Sequence, residues 1–245
     1  MVDKTGKSII GRIDPVLILL VLMFFLINYF GGRNHALFHF LAELVTVIIS
    51  CSLFLFVWIM REKTENGYFS IIGIGLLFVA ILDLFHILSF EGMTILPSIS
   101  LDQSSYFWLA ARLLQGLTFL IAPLCAGRTA KYQLALLSYG VISTLAIFVI
   151  LRLNLVPLIN FDGNFSPVRL ILELVISFLF LLALIHIIAR RARFDARVFR
   201  VFLGAALLAL ASELIIGWNT SQAHLTSIFG LDLKILSYAL IFQIV

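Results

Sequence analysis

Charge is scarce in this sequence. Only 12% of its 245 residues are Asp, Glu, Lys or Arg, against 62% apolar residues, whereas soluble domains average about 25% and about 45–50%. So few charges cannot cover a water-facing exterior, and a soluble globular fold is excluded. Cysteine is rarer still. Cys51 and Cys125 fall inside apolar runs, without C-x-x-C or C-x-x-C-H spacing, and read as small buried hydrophobes. Five histidines are too few for the multi-histidine di-iron sites of membrane oxidases and desaturases. No P-loop, other nucleotide-binding, Ser/His/Asp or zincin motif occurs. The net charge of +4 and pI near 9.3 come from basic residues in short connections rather than one stripe, which leaves nucleic-acid binding unsupported.

What the chain has in abundance is long apolar stretches, with 23 Phe and a mean hydropathy of +1.13. A hydrocarbon core of about 30 Å is crossed by about 20 helical residues. Eight runs approach that length: 13–30, 36–60, 68–90, 106–126, 134–151, 167–189, 198–218 and 231 onward. They lack the alternation of barrel strands, and backbone groups in lipid must be satisfied internally, so they are predicted helices. The expectation is an all-α, polytopic membrane bundle of about eight transmembrane helices. Pro15 and Pro167 fall in first turns, where a missing N–H costs little, and Pro123 is expected to kink the fourth span. Lys4, Lys7 and Arg12 before the first run mimic a secretory signal, but the run is long and no A-x-A-like site follows Phe30, so a retained helix is expected. A tail over 1–12 and one membrane-embedded unit over 13–245 follow. The last run stops at Val245 after about 15 residues, short of a full crossing, and further protein is expected beyond it.

Orientation follows from Lys and Arg in the connections. Lys4, Lys7, Arg12, Arg61, Lys63, Arg128, Lys131, Arg190, Arg191, Arg193, Arg197 and Arg200 fall on one side; Arg33, Arg152, Arg169 and Lys234 fall on the other. The positive-inside rule then puts both termini in the cytoplasm. Trp58, Trp108 and Trp218 fit an aromatic belt, and His186 reads as an interface residue.

Ionisable residues inside spans cost at least about 2.5 kcal/mol at the bilayer centre, so each is a candidate site residue. His39 and Glu43 are four apart on the second span, and Asp83 and His86 three apart on the third, spacings that share a helix face. Arg112 lies on the fourth, Arg169 and Glu173 on the sixth, Glu213 on the seventh and Lys234 on the eighth. All are expected within about seven residues of the non-cytoplasmic helix ends, an outer layer roughly 10 Å deep. Four carboxylates, three permanent cations and two imidazoles nearly neutralise one another there, as a shared polar cavity requires. The competing readings are interhelical ion pairs for Glu43, Asp83, Arg112 and Glu213, and interfacial anchoring for His39, Arg169 and Lys234. His39, Glu43, Asp83 and His86 also form a candidate divalent-metal set suited to Zn, Mn or Fe; alternatively His39 and His86 are candidate axial haem ligands.

At these residues the sequence resembles a bacterial family, the membrane-associated sensor domain of the third MASE class. The resemblance runs through Phe38-His39 with Glu43, Asp83-Leu84-Phe85-His86 followed by Glu91-Gly92-Met93, and Trp108 with Arg112. It continues through Phe165-Ser166-Pro167 with Glu173, Phe194-Asp195, Glu213 and Lys234-Ile235-Leu236-Ser237, covering about residues 37–245. Two places depart from the family pattern. Gly230-Leu231-Asp232-Leu233-Lys234 stands where the family reads Gly-His-Leu-Leu-Lys, and Val168 precedes Arg169 after the proline. The resemblance implies a sensory input module in a bacterial inner membrane, fused to a cytoplasmic histidine kinase or diguanylate cyclase and so serving two-component or cyclic-di-GMP signalling.

The expectation for function is therefore a non-catalytic sensor domain that works as a homodimer in the lipid bilayer. An unknown small ligand or ion is expected to meet His39, Glu43, Asp83, His86, Arg112, Glu173 and Glu213, with the last helix passing the change to a fused cytoplasmic output domain. The alternatives are a haem- or metal-binding redox membrane protein and a small transporter, although no paired broken helices or inverted repeat supports the latter.

Overall fold

The computed structural model describes residues 22, 24–26, 28, 29, 34–61, 63, 66–90, 95, 96, 98–153, 155–158, 166–217 and 224–243. The first predicted span falls largely outside them, as do Pro15, Arg33, the Glu91-Gly92-Met93 stretch, Phe165 and Trp218. Among the described residues every regular element is helical. The α-helices are α1 (His35–Met60), α2 (Gly67–Ser89), α3 (Leu101–Ile121), α4 (Tyr132–Arg152), α5 (Pro167–Ala189), α6 (Ala196–Gly217) and α7 (His224–Phe242), with 3-10 turns at Ala122–Cys125 and Arg191–Arg193. Residues 22, 24–26, 28 and 29 are also helical. Among the described residues six helices, α1 to α6, are long and apolar enough to cross a membrane.

Local chemistry explains where these helices begin. Asn34 caps α1 by accepting the Leu37 N–H. Ser100 and Gln103 form a reciprocal capping box at α3, and Ser166 caps α5 with Pro167 in its first turn. Asp195 serves α6, accepting the Arg197 N–H at 2.8 Å. α2 starts against the loop after α3, where the Gly67 N–H donates to the Arg128 carbonyl at 2.6 Å. A Cβ there would lie 2.7 Å from that oxygen, so only glycine allows the approach.

The helix pairing closes a circle. α1 packs on α2, α2 on α3, α3 on α5, α5 on α6, α6 on α7, and α7 back on α1. α4 stands outside, against α2 and α3, joined by Tyr139 stacking on Phe78 and meeting Thr118 Oγ1 at 3.0 Å. Small residues bring α6 and α7 together: Ser212 donates to the Gly230 carbonyl at 2.7 Å and Ser237 to the Ala205 carbonyl at 2.8 Å. At the end of the circle where α2 and α6 begin, the interior is aromatic. Phe119 meets Phe180 and Phe202 edge-on, and Phe194 joins Phe202 and Tyr68.

Several expectations change. α3 begins at Leu101 rather than 106, because its capping box carries the helix through a polar turn that an apolar-run criterion does not count, and α7 begins at His224 rather than 231. Pro123 ends α3 in a 3-10 turn instead of kinking it. Cys51 and Cys125 are only partly buried. Trp108 is a buried interior residue, not a belt residue, because it faces the circle from α3.

Candidate functional site

The polar side chains converge inside the circle, toward the end where α1, α3, α5 and α7 begin. The uppermost group is an imidazole relay. His86 Nδ1 lies 2.9 Å from the Ser104 carbonyl oxygen, an atom that only accepts, so Nδ1 carries the proton. In the neutral ring Nε2 is then an acceptor, and it receives the Nε2–H of His39 at 3.1 Å. Hydrogen-bond roles thus leave His39 Nδ1 as a bare acceptor, buried and without a partner among the described residues. Phe90 stacks on the His39 ring at 3.9 Å between centroids, and Ser104 Oγ donates to the His86 carbonyl at 3.1 Å.

One turn deeper is a charge network across four helices. Asp83 on α2 takes Arg112 Nη2 from α3, at 2.8 Å to Oδ1 and 2.5 Å to Oδ2. Asp83 Oδ2 also lies 3.3 Å from Lys234 Nζ of α7, and Lys234 donates in turn to Glu43 Oε2 of α1. Arg112 also donates to Gln115 on its own helix. All four charged groups are at most 3% exposed. Two anions and two cations offset one another, which is what lets the set stay charged out of water. The Tyr238 hydroxyl is buried beside Arg112.

A second wall comes from α5 and α6. Arg169 Nε donates to Glu173 Oε1 at 2.8 Å, and its guanidinium lies 5.7 Å from the Trp108 ring centroid. Gly217 presses on the Glu173 carboxylate, so that a Cβ there would lie 2.9 Å from Oε2. Glu213, one turn before Gly217 on the same face of α6, is 3% exposed.

The structure thus brings together His39 with His86 and Ser104, and Glu43 with Asp83, Arg112 and Lys234, while Glu173 and Glu213 occupy the facing wall. Sequence spacing offered His39, Glu43, Asp83 and His86 as one metal-ligand set; the geometry sorts them instead into an imidazole pair and two carboxylates facing cations. Among the described residues no group of three or more His, Cys, Asp and Glu is arranged to hold a metal ion. The two Nε2 atoms stand at hydrogen-bond distance, closer than the roughly 4 Å that two metal–nitrogen bonds of about 2.0 Å would span, so this arrangement leaves no room for a haem between them. Lys234 is a correction of another kind. It is buried midway along α7, not near a helix end, and Arg112 is midway along α3, so the layer reaches deeper than the outer 10 Å or so expected from run lengths. Ser104, Gln115 and Tyr238 were missed because neutral groups raise no charge signal. The spacing of Ser104, Trp108 and Arg112, and of Lys234 and Tyr238, would have found two of them.

This arrangement sits within the region matched by one family model, a membrane-associated sensor domain (MASE3), which covers residues 30–245. The chain belongs to the MASE3 family. No curated protein and no solved structure matches it. As a MASE3 domain it is a membrane-associated, non-catalytic sensor module, built on apolar helices that enclose a buried ionic network. Within this MASE3 domain, α7 is the helix whose lysine joins the carboxylates of α1 and α2.

Proposed function

We propose that this domain is the multi-pass sensory input of a bacterial signalling protein of the histidine kinase or diguanylate cyclase type. In this reading it lies in the cytoplasmic membrane with both ends inside, works as a homodimer and passes its signal through α7. Its ligand site is formed by His39, Glu43, Asp83, His86 and Arg112, with Glu173 and Glu213 as the facing wall. The observation that carries the reading is the double grip on Lys234: a residue of α7 is held by carboxylates on α1 and α2. A ligand or charge that changes how Glu43 and Asp83 engage Lys234 changes how α7 packs, provided it binds the two packings unequally.

The test uses the full-length protein in native membranes, with output read as phosphorylation or cyclic-dinucleotide synthesis. Asp83→Asn removes the anion between Arg112 and Lys234. The expected outcome is a protein that inserts but whose output no longer varies with growth conditions that modulate the wild type. Normal modulation in Asp83→Asn and in His86→Ala would remove the network from signalling.

A further inference from the structure

Among the described residues the buried polar layer is one positive charge short. Glu43, Asp83, Glu173 and Glu213 face Arg112, Arg169 and Lys234, and every described side chain in this set is 11% exposed or less. Glu43 and Asp83 are joined by Lys234, Asp83 also by Arg112, and Glu173 by Arg169. Glu213 has no ion pair among the described residues, and its Oε2 finds no hydrogen-bond donor there. The neighbouring Glu173 Oε2 lacks a donor as well. An isolated carboxylate so far from water is strongly disfavoured and must be neutralised. The two bare oxygens belong to adjacent helices, with Gly217 holding α6 against Glu173.

We propose that Glu213 and Glu173 form a subsite that takes one positive charge carried by hydrogen-bond donors, as a proton or a small ammonium-type cation. A divalent metal ion is disfavoured because even four-coordinate zinc calls for at least about three protein ligands and calcium for about six or more oxygens, whereas no three carboxylates or imidazoles among the described residues converge. The charged groups that act on Glu213 are Arg112 on α3, Lys234 on α7, Glu173 on α5 and Asp83 on α2; Arg169 holds Glu173 from its own helix, and Tyr238 of α7 lies beside Arg112. Arg112 and Lys234 are already engaged by Asp83 and Glu43. Occupancy of the subsite frees those cations from any pull by Glu213, while an empty, ionised Glu213 competes for them. This deepens the sensor reading and rests on it for its purpose, but its chemistry is tested without any output domain.

The 245-residue chain is reconstituted in phosphatidylcholine nanodiscs and its thermal unfolding followed in methylammonium chloride, with tetramethylammonium chloride at equal ionic strength as the cation lacking N–H donors. An ammonium site gives a saturable rise in Tm with methylammonium alone, weakened about tenfold or more by Glu213→Gln, a change worth about 1.4 kcal/mol. A proton site gives no such rise but shows a carboxylic-acid C=O band in the infrared at neutral pH, absent in Glu213→Gln. If that variant does not insert, Glu173→Gln takes its place, and the wild-type measurements stand by themselves. Wild-type protein with neither a saturable methylammonium effect nor a protonated carboxyl band overturns the proposal, whatever the signalling assay returns.

Discussion

The two ends of the helical circle are held by opposite chemistry. Where α2 and α6 begin, Tyr68, Phe119, Phe180, Phe194 and Phe202 fill the interior with edge-to-face rings. Where α1, α3 and α7 begin, the same interior carries Glu43, Asp83, Arg112 and Lys234. Aromatic packing leaves no charge to be matched, and its loss on substitution is graded with the volume removed. A buried ionic set loses little by exchange of the whole group for apolar residues, yet loses much when one member is removed, since the partner is left charged and alone. One end therefore tolerates variation, and the other responds to the change of a single charge.

Stability measurements can break that contrast. Asp83→Ala strands Arg112 and half-frees Lys234, and is expected to cost about 3–5 kcal/mol in nanodisc-reconstituted protein, read as a large fall in Tm. Phe202→Leu at the aromatic end keeps most of its volume and is expected to cost about 1 kcal/mol. Equal losses in these two variants would erase the distinction between the ends. Leu145→Ala sharpens it from outside: Leu145 is 57% exposed on α4, faces no interior, and its replacement is expected to shift stability by less than about 0.5 kcal/mol.

The same contrast governs what could be read from the sequence. The helices were legible because the bilayer sets a minimum apolar length, and each of α1 to α6 coincides with a predicted span to within a few residues. Their starts were less legible, since Ser100 and its capping box sit in the polar stretch before the apolar run. That displacement made Arg112 and Lys234 look shallower than they are. Charged members of the site stood out because charge is costly in lipid. Which carboxylate meets which cation depends on helix order around the circle, and a single sequence carries no signal that α7 returns to α1. The link between Asn28 and Asp232 at 3.0 Å was invisible for the same reason.

Closure of the circle has a consequence for how the domain is made. Glu43 and Lys234 are 191 positions apart, and a chain enters the membrane from its N-terminus as it is synthesised. Asp83 on α2 gains Arg112 with the next helix, α3, but Glu43 on α1 must wait through five intervening described helices, α2 to α6, for the lysine of α7. Until then it has to remain protonated, stay near the headgroups or borrow a neighbour, so the nascent circle stays unsealed until α7 arrives.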